Sequence, residues 1–152
     1  MAVSRGVSIK VELNGTDKVI KRLQDGTEGF KKPLRNSATY MEKSIGMRFR
    51  KAPWKPLSPA TIKIHPRRAG GKPLNDTGTL KRSVTAGAIK NVGKYTLKYG
   101  TALKYAPLHN FGGRGGWGKY IPKREFLYFD HKDERTIQRI FNDYIKELEQ
   151  RG

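Results

Sequence analysis

Ile137, Ile140, Phe141, Tyr144, Ile145 and Leu148 stand at i, i+3, i+4, i+7, i+8 and i+11. That spacing returns to one side of a helix on every turn and to neither side of a strand. The segment from about Asp130 onward is therefore predicted to be an amphipathic helix that needs an apolar surface to lie on. A second stripe can supply one. Phe30, Leu34, Ala38, Met41, Ile45 and Phe49 are separated by four, four, three, four and four residues, which predicts a helix of about five turns, roughly 30 Å long. Pro33 is tolerable there only in the first turn, where its missing N–H costs little. The predicted core is Phe30, Leu34, Met41, Ile45 and Phe49 from one stripe and Ile137, Phe141, Tyr144 and Leu148 from the other.

Strands are signalled by a different period. Val7, Ile9, Val11 and Leu13 alternate with Ser8, Lys10 and Glu12 before Asn14-Gly15, which reads as a half-buried strand. A short helix carrying Val19, Ile20 and Leu23 is expected next, capped by Thr16 or Asp17 and stopped by Asp25-Gly26. Ser83–Lys90 and Tyr95–Gly100 read as two strands joined by Asn-Val-Gly-Lys, with Tyr95, Leu97 and Tyr99 on one face. A helical turn is expected over Leu80–Ser83, a short apolar element over Tyr105–Phe111, and an extended run over Ile121–Phe129, where Pro122 biases Ile121 away from helix. The expectation is a single α+β domain over 1–152. It has an antiparallel sheet of about three to five strands, with the two long helices packed on one face.

Between these elements the periodicity stops. Residues 52–78 contain Pro53, Pro56, Pro59, Pro66 and Pro73 with Gly70-Gly71, and are predicted to be a long loop with one short helix at Ser58–Ile62, capped by Ser58. A loop of that length in a small domain is usually functional or disordered. Residues 112–120 are expected to form a second extended loop.

The charge is concentrated where the regular structure is weakest. The net charge is +19; residues 43–124 carry 19 Lys and Arg against one acid, Asp76, while residues 125–152 carry five against seven. Ordinary surfaces mix both signs. A belt this one-sided favours contact with nucleic acid or with an acidic protein neighbour over a merely solvated face. No basic segment is also strongly apolar on one face, so no membrane partner is expected. The predicted contact residues lie in the two loops and just after them: Trp54, Lys55, Lys63, Arg67, Arg68, Lys72, Arg114, Trp117, Lys119, Lys123 and Arg124.

Chemistry is poorly supplied. Gly113–Lys119 spells G-x-x-x-x-G-K, the opening of a phosphate-binding loop. Such a loop needs a buried strand before it, a helix after it and Ser or Thr behind the lysine. Here Pro107 breaks the preceding run, Tyr120 takes the hydroxyl position and Pro122 resists a helix. Arg114, Trp117, Lys119 and Tyr120 instead mix cations with stacking aromatics, as single-strand binders do. His65, His109 and His131 lack metal-ligand spacing, and there is no cysteine. No nucleophile elbow supports a triad. No catalytic residue, metal or cofactor is predicted, and the chain is not expected to be an enzyme.

Four segments occur in order: Trp54–Ile62 (WKPLSPATI), Gly71–Val84 (GKPLNDTGTLKRSV), Tyr99–Gly113 (YGT, then YAPLHNFGG) and Ile121–Phe129 (IPKREFLYF). Together they resemble the phage virion morphogenesis family, the tail completion proteins of tailed bacteriophages and Mu-like prophages, over roughly residues 15–148. The family pattern usually has Ala where Lys123 stands and Pro where Glu125 stands, changes that touch charge and local stiffness. The resemblance implies a small structural α+β protein of the virion, assembled in the host cytoplasm. It implies a place at the head-proximal end of the tail, helping the tail join the DNA-filled head. It also implies a ring, often hexameric, that contacts neighbouring tail and neck or connector proteins, with packaged DNA met through non-specific phosphate contacts. It supplies no catalytic residue. The alternative is a stand-alone basic nucleic-acid-binding module.

Overall fold

The computed structural model describes residues 8–12, 30–115 and 120–151. The short helix expected around Val19–Leu23 lies outside these residues. In chain order the elements are β1 (Ser8–Glu12), α1 (Lys31–Lys51), α2 (Pro59–Ile64), a 3-10 turn (Pro66–Arg68), α3 (Thr79–Ser83), β2 (Ile89–Val92), β3 (Thr96–Gly100), α4 (Ala106–Phe111), β4 (Gly113–Arg114), β5 (Tyr120–Ile121) and α5 (His131–Arg151). The architecture is α+β.

β3 is the middle strand of a three-stranded antiparallel sheet in the order β1-β3-β2. Leu97 faces Val11 on one side and Val92 on the other, and Tyr99 faces Ile9 and Lys90. Leu97 and Tyr99 are buried and Tyr95 is half-buried against the same core, as side chains two apart on one face should be. β4 and β5 form a separate two-stranded ribbon, Gly113 opposite Ile121 and Arg114 opposite Tyr120.

The strand expected from Ser83 starts only at Ile89. Ser83 belongs to α3, and the chain then turns tightly, with the amides of Thr85 and Gly87 both donating to the Arg82 carbonyl oxygen at 3.3 and 2.8 Å. A side chain at Gly87 would sit 3.1 Å from that oxygen. The β-branched run of Ser83–Thr85 is thus taken by local turn bonds. The hairpin is also tighter than expected: Asn91 and Val92 are strand residues, and Gly93 N–H donates to the Thr96 carbonyl at 2.8 Å.

α1 packs against β2, β3 and α5, and α5 lies mainly against α1. The Phe30 and Phe141 rings meet at 5.7 Å, tilted by 55°. Phe30, Leu34, Met41, Ile45, Phe49, Ile137 and Phe141 are buried; Tyr144 and Leu148, toward the far end of α5, are half-buried. Val84, Leu80, Ala106, Phe126 and Leu127 complete the core from segments without helical or strand periodicity. Tyr99 donates its hydroxyl to the Val84 carbonyl at 2.6 Å, and burial pushes its pKa well up. Pro33 sits in the first turn of α1, and Ala52 ends the helix in a left-handed conformation, φ 43°, with its N–H on the Arg48 carbonyl at 2.8 Å.

Candidate assembly interface

Arg48 lies on the buried side of α1, three residues beyond Ile45. Its Nη2 donates to Asp133 Oδ2 at 2.5 Å, with both side chains almost fully buried. Its Nη1 donates to the carbonyl oxygens of Phe126 (3.1 Å) and Tyr128 (2.8 Å), and the guanidinium lies 3.5 Å from the centre of the Tyr128 ring. Asp133 also accepts from the hydroxyls of Tyr40 (2.8 Å) and Ser44 (2.9 Å). The pair therefore ties α1, α5 and the 126–128 segment together.

α5 starts on a reciprocal cap. Asp133 N–H donates to Asp130 Oδ1 at 2.8 Å, and Asp130 N–H to Asp133 Oδ2 at 3.2 Å. The Asp133 amide, helped by the nearby Arg48 charge, holds the Asp130 carboxyl below the usual aspartate range.

A second knot fastens the proline-rich segment. Asn110, fully buried in α4, accepts the amides of Phe126 and Leu127 on Oδ1, each at 3.0 Å. Arg124 is tied to α4 through its own amide, which donates to the His109 carbonyl at 2.9 Å. Its side chain reaches back to the carbonyl oxygens of Lys55 (2.8 Å) and Pro56 (3.1 Å). The Trp54 indole N–H donates to the Glu125 carbonyl at 2.6 Å, and its ring stands edge-on to Phe49 at 5.3 Å. Gly112, φ 75°, passes so close to the 121–123 segment that a Cβ would lie 2.8 Å from the Lys123 nitrogen. Here the third and fourth of the ordered sequence segments meet the start of the first.

The 58–78 stretch has local order of its own. Ser58 Oγ caps α2 by accepting the Thr61 amide at 3.2 Å, with Pro59 in the first turn. Arg67 forks onto Asp76 at 2.5 and 2.9 Å, and holds that carboxyl below its usual range. Arg68 donates to the carbonyl oxygens of Asn75 (3.1 Å) and Lys72 (3.3 Å). Lys72 Nζ reaches the Arg50 carbonyl near the end of α1 at 2.6 Å.

The sequence-predicted contact residues thus fall into separate groups. Lys55, Lys63, Arg67, Lys72, Arg114 and Lys123 are exposed. Arg67 is engaged by Asp76, and Lys123 lies 3.1 Å from Glu125. Trp54 and Arg68 are half-buried and bonded internally. Arg124 is only 8% exposed, and its side chain serves as a tether to the Lys55 and Pro56 carbonyl oxygens. Trp117 and Lys119 lie outside the described residues. Ile64 (59%), Phe111 (61%) and Tyr120 (74%) add exposed apolar surface.

Sequence reasoning missed Arg48, Asp133 and Asn110. Arg48 did leave a trace: it lies seven residues past Met41 and three past Ile45, on the apolar face, where an arginine requires a buried partner. Asn110 left none. Among the described residues no group of His, Asp and Glu is placed to hold a metal ion, and no helix is long and apolar enough to cross a membrane.

The chain is thus a small, strongly basic α+β protein whose proline-rich segment is tied down by internal hydrogen bonds. Residues 11–146 match the model of the phage virion morphogenesis family, and the chain belongs to that family. It is 31% identical over 148 residues to the Mu-like prophage FluMu G protein 2 of Haemophilus influenzae, covering 92% of this chain and 98% of that one. No solved structure matches it. Membership gives the chain a role in building the phage particle.

Proposed function

We propose that the protein is a structural tail completion or head–tail joining component, working as a ring subunit, with six copies as the expected number, at the head-proximal end of the tail around the DNA channel. The observation that carries this reading is the extent of the family match, residues 11–146, which takes in both knots and the whole basic belt. The belt supports it. A loop region fixed at Trp54, Arg124 and Lys72 presents cations from a set position. A ring subunit needs heterologous contacts with its own copies and with the layers above and below. Exposed Ile64, Phe111 and Tyr120 suit such contacts. Neighbouring tail and connector proteins are the proposed partners, with packaged DNA met through salt-sensitive phosphate contacts.

Deleting the gene tests the proposal: heads filled with DNA and separate tails should accumulate, and joined infectious particles would refute it. The belt's charge also favours a second reading, a stand-alone nucleic-acid-binding module. That reading requires the isolated monomer to bind duplex or single-stranded DNA tightly with a steep salt slope. Weak binding at moderate salt would remove it.

A further inference from the structure

A recess of about 330 Å³ lies between the 57–80 segment and α4. Arg68 and Arg124 supply its cations, and Leu57, Leu74, Leu80 and Tyr105 give it apolar walls. Both guanidinium groups are sunk, Arg124 at 8% exposure and the Arg68 side chain at 11%. Among the described residues, neither has a carboxylate at hydrogen-bonding range. Both donate to carbonyl oxygens, which orient a guanidinium without cancelling its charge. Asp76, the one acid nearby, stands 3.7 Å from Arg68 and is already forked by Arg67. Arg124 Nη1 has no hydrogen-bond partner among the described residues.

One backbone feature of the recess agrees. Leu74 is held at φ 63°, a left-handed conformation that strains any residue but glycine and that collects at binding sites. Two sunken like charges, with the nearest acid already engaged by Arg67, are a costly arrangement, and an incoming anion relieves it.

We infer that this recess receives the carboxylate of an acidic, partly apolar peptide segment from a neighbouring protein, seated between Arg68 and Arg124 with its flanking apolar side chains on Leu74 and Tyr105. Arginine is the residue suited to planar, bidentate carboxylate recognition. Nucleic acid fits the recess less well. Backbone phosphates of a duplex are met by cations that reach outward, and they offer nothing to apolar walls. The inference deepens the assembly reading, resting on it only in that the peptide belongs to a neighbour in the particle. Binding is tested on isolated protein, so its failure is distinguishable from a failed deletion test.

The probe is a fluorescein-labelled octapeptide amide of alternating Leu and Glu, compared with its Leu–Gln counterpart, and read by fluorescence anisotropy on the full chain near physiological ionic strength. A protein of this charge attracts any acidic peptide, so the comparison is charge-matched: Arg68→Gln in the recess against exposed Lys63→Gln outside it. Arg68→Gln should weaken Glu-peptide binding by about tenfold or more and Lys63→Gln by less than about twofold, with the Gln peptide also about tenfold weaker. Arg68 also braces its loop, so Tyr105→Glu serves as the second variant. It places a carboxylate at the rim, touches none of those bonds, and should cut binding by about the same factor. Equal effects of Arg68→Gln and Lys63→Gln would overturn the inference, as would wild-type binding by Tyr105→Glu. Duplex DNA bound with the same dependence on Arg68 would overturn it in favour of phosphate.

Discussion

Replacing Asp133 by Ala tests the claim that one buried ion pair organises the junction of α1, α5 and the 126–128 segment. Four donors converge on its carboxylate: Arg48 Nη2 at 2.5 Å, Tyr40 Oη at 2.8 Å, Ser44 Oγ at 2.9 Å and the Asp130 amide at 3.2 Å. Removing one partner of a buried pair costs about 3–5 kcal/mol, because the other charge stays behind without compensation. Arg48 would keep two carbonyl oxygens and the face of Tyr128, which places the loss in the lower part of that range, about 3–4 kcal/mol. For a chain of this length that is a fall of about 6–16 °C in melting temperature. Urea unfolding followed by helical circular dichroism should show a lower midpoint at unchanged slope. The double variant Arg48→Met/Asp133→Leu removes both charges, and should cost at least about 1.5 kcal/mol less than the sum of the Arg48→Met and Asp133→Leu single variants. A loss below about 1 kcal/mol for Asp133→Ala, or strict additivity in the cycle, would refute the reasoning, since a buried lock must be both strong and coupled.

Asn110→Ala leaves the amides of Phe126 and Leu127 buried without an acceptor and should cost about 2–5 kcal/mol in the same urea assay; a value under about 0.5 kcal/mol would mean water replaces the side chain. Ile45→Ala and Phe141→Ala, at 0% and 7% exposure, should each cost about 2–5 kcal/mol by chemical denaturation; a change below about 0.5 kcal/mol at both sites would show that the helix–helix core is wrongly assigned. Asp130 is depressed in the folded state by the Asp133 amide and the Arg48 charge. Its stabilisation is therefore full above the unfolded aspartate value near 3.9 and is lost as pH falls through the lower folded value. In an acid titration of the melting temperature, Asp130→Asn, which still caps but does not ionise, should show a shallower decline below about pH 4 than the wild type; identical profiles would count against the cap.

The two long helices were readable because their information is local and repeated. Each turn of α1 and α5 restates which side is apolar, and the spacing from Phe30 to Phe49 or from Ile137 to Leu148 needs no knowledge of what lies opposite. The same holds for Ser58-Pro59 opening α2. Ser83–Thr85 misled because strand propensity describes a fit to a pleated surface, and there the Arg82 carbonyl had already claimed the amides for a turn.

By itself, then, the sequence determined the helical pair, the central hairpin, the belt of positive charge around a lone Asp76 and, through four ordered segments, the family. Tertiary structure alone decided what most of the interior polar groups do. It brings Asp133 to Arg48 across 85 positions and sets the Asn110 side chain under amides 16 and 17 positions away. It also turns Arg124 from a loop cation into the strap that holds Lys55 and Pro56. A charged residue carries the same letter whether it is solvated or buried. Burial leaves it no alternative but to find a partner, and which partner it finds depends on chain reversals that no local period records.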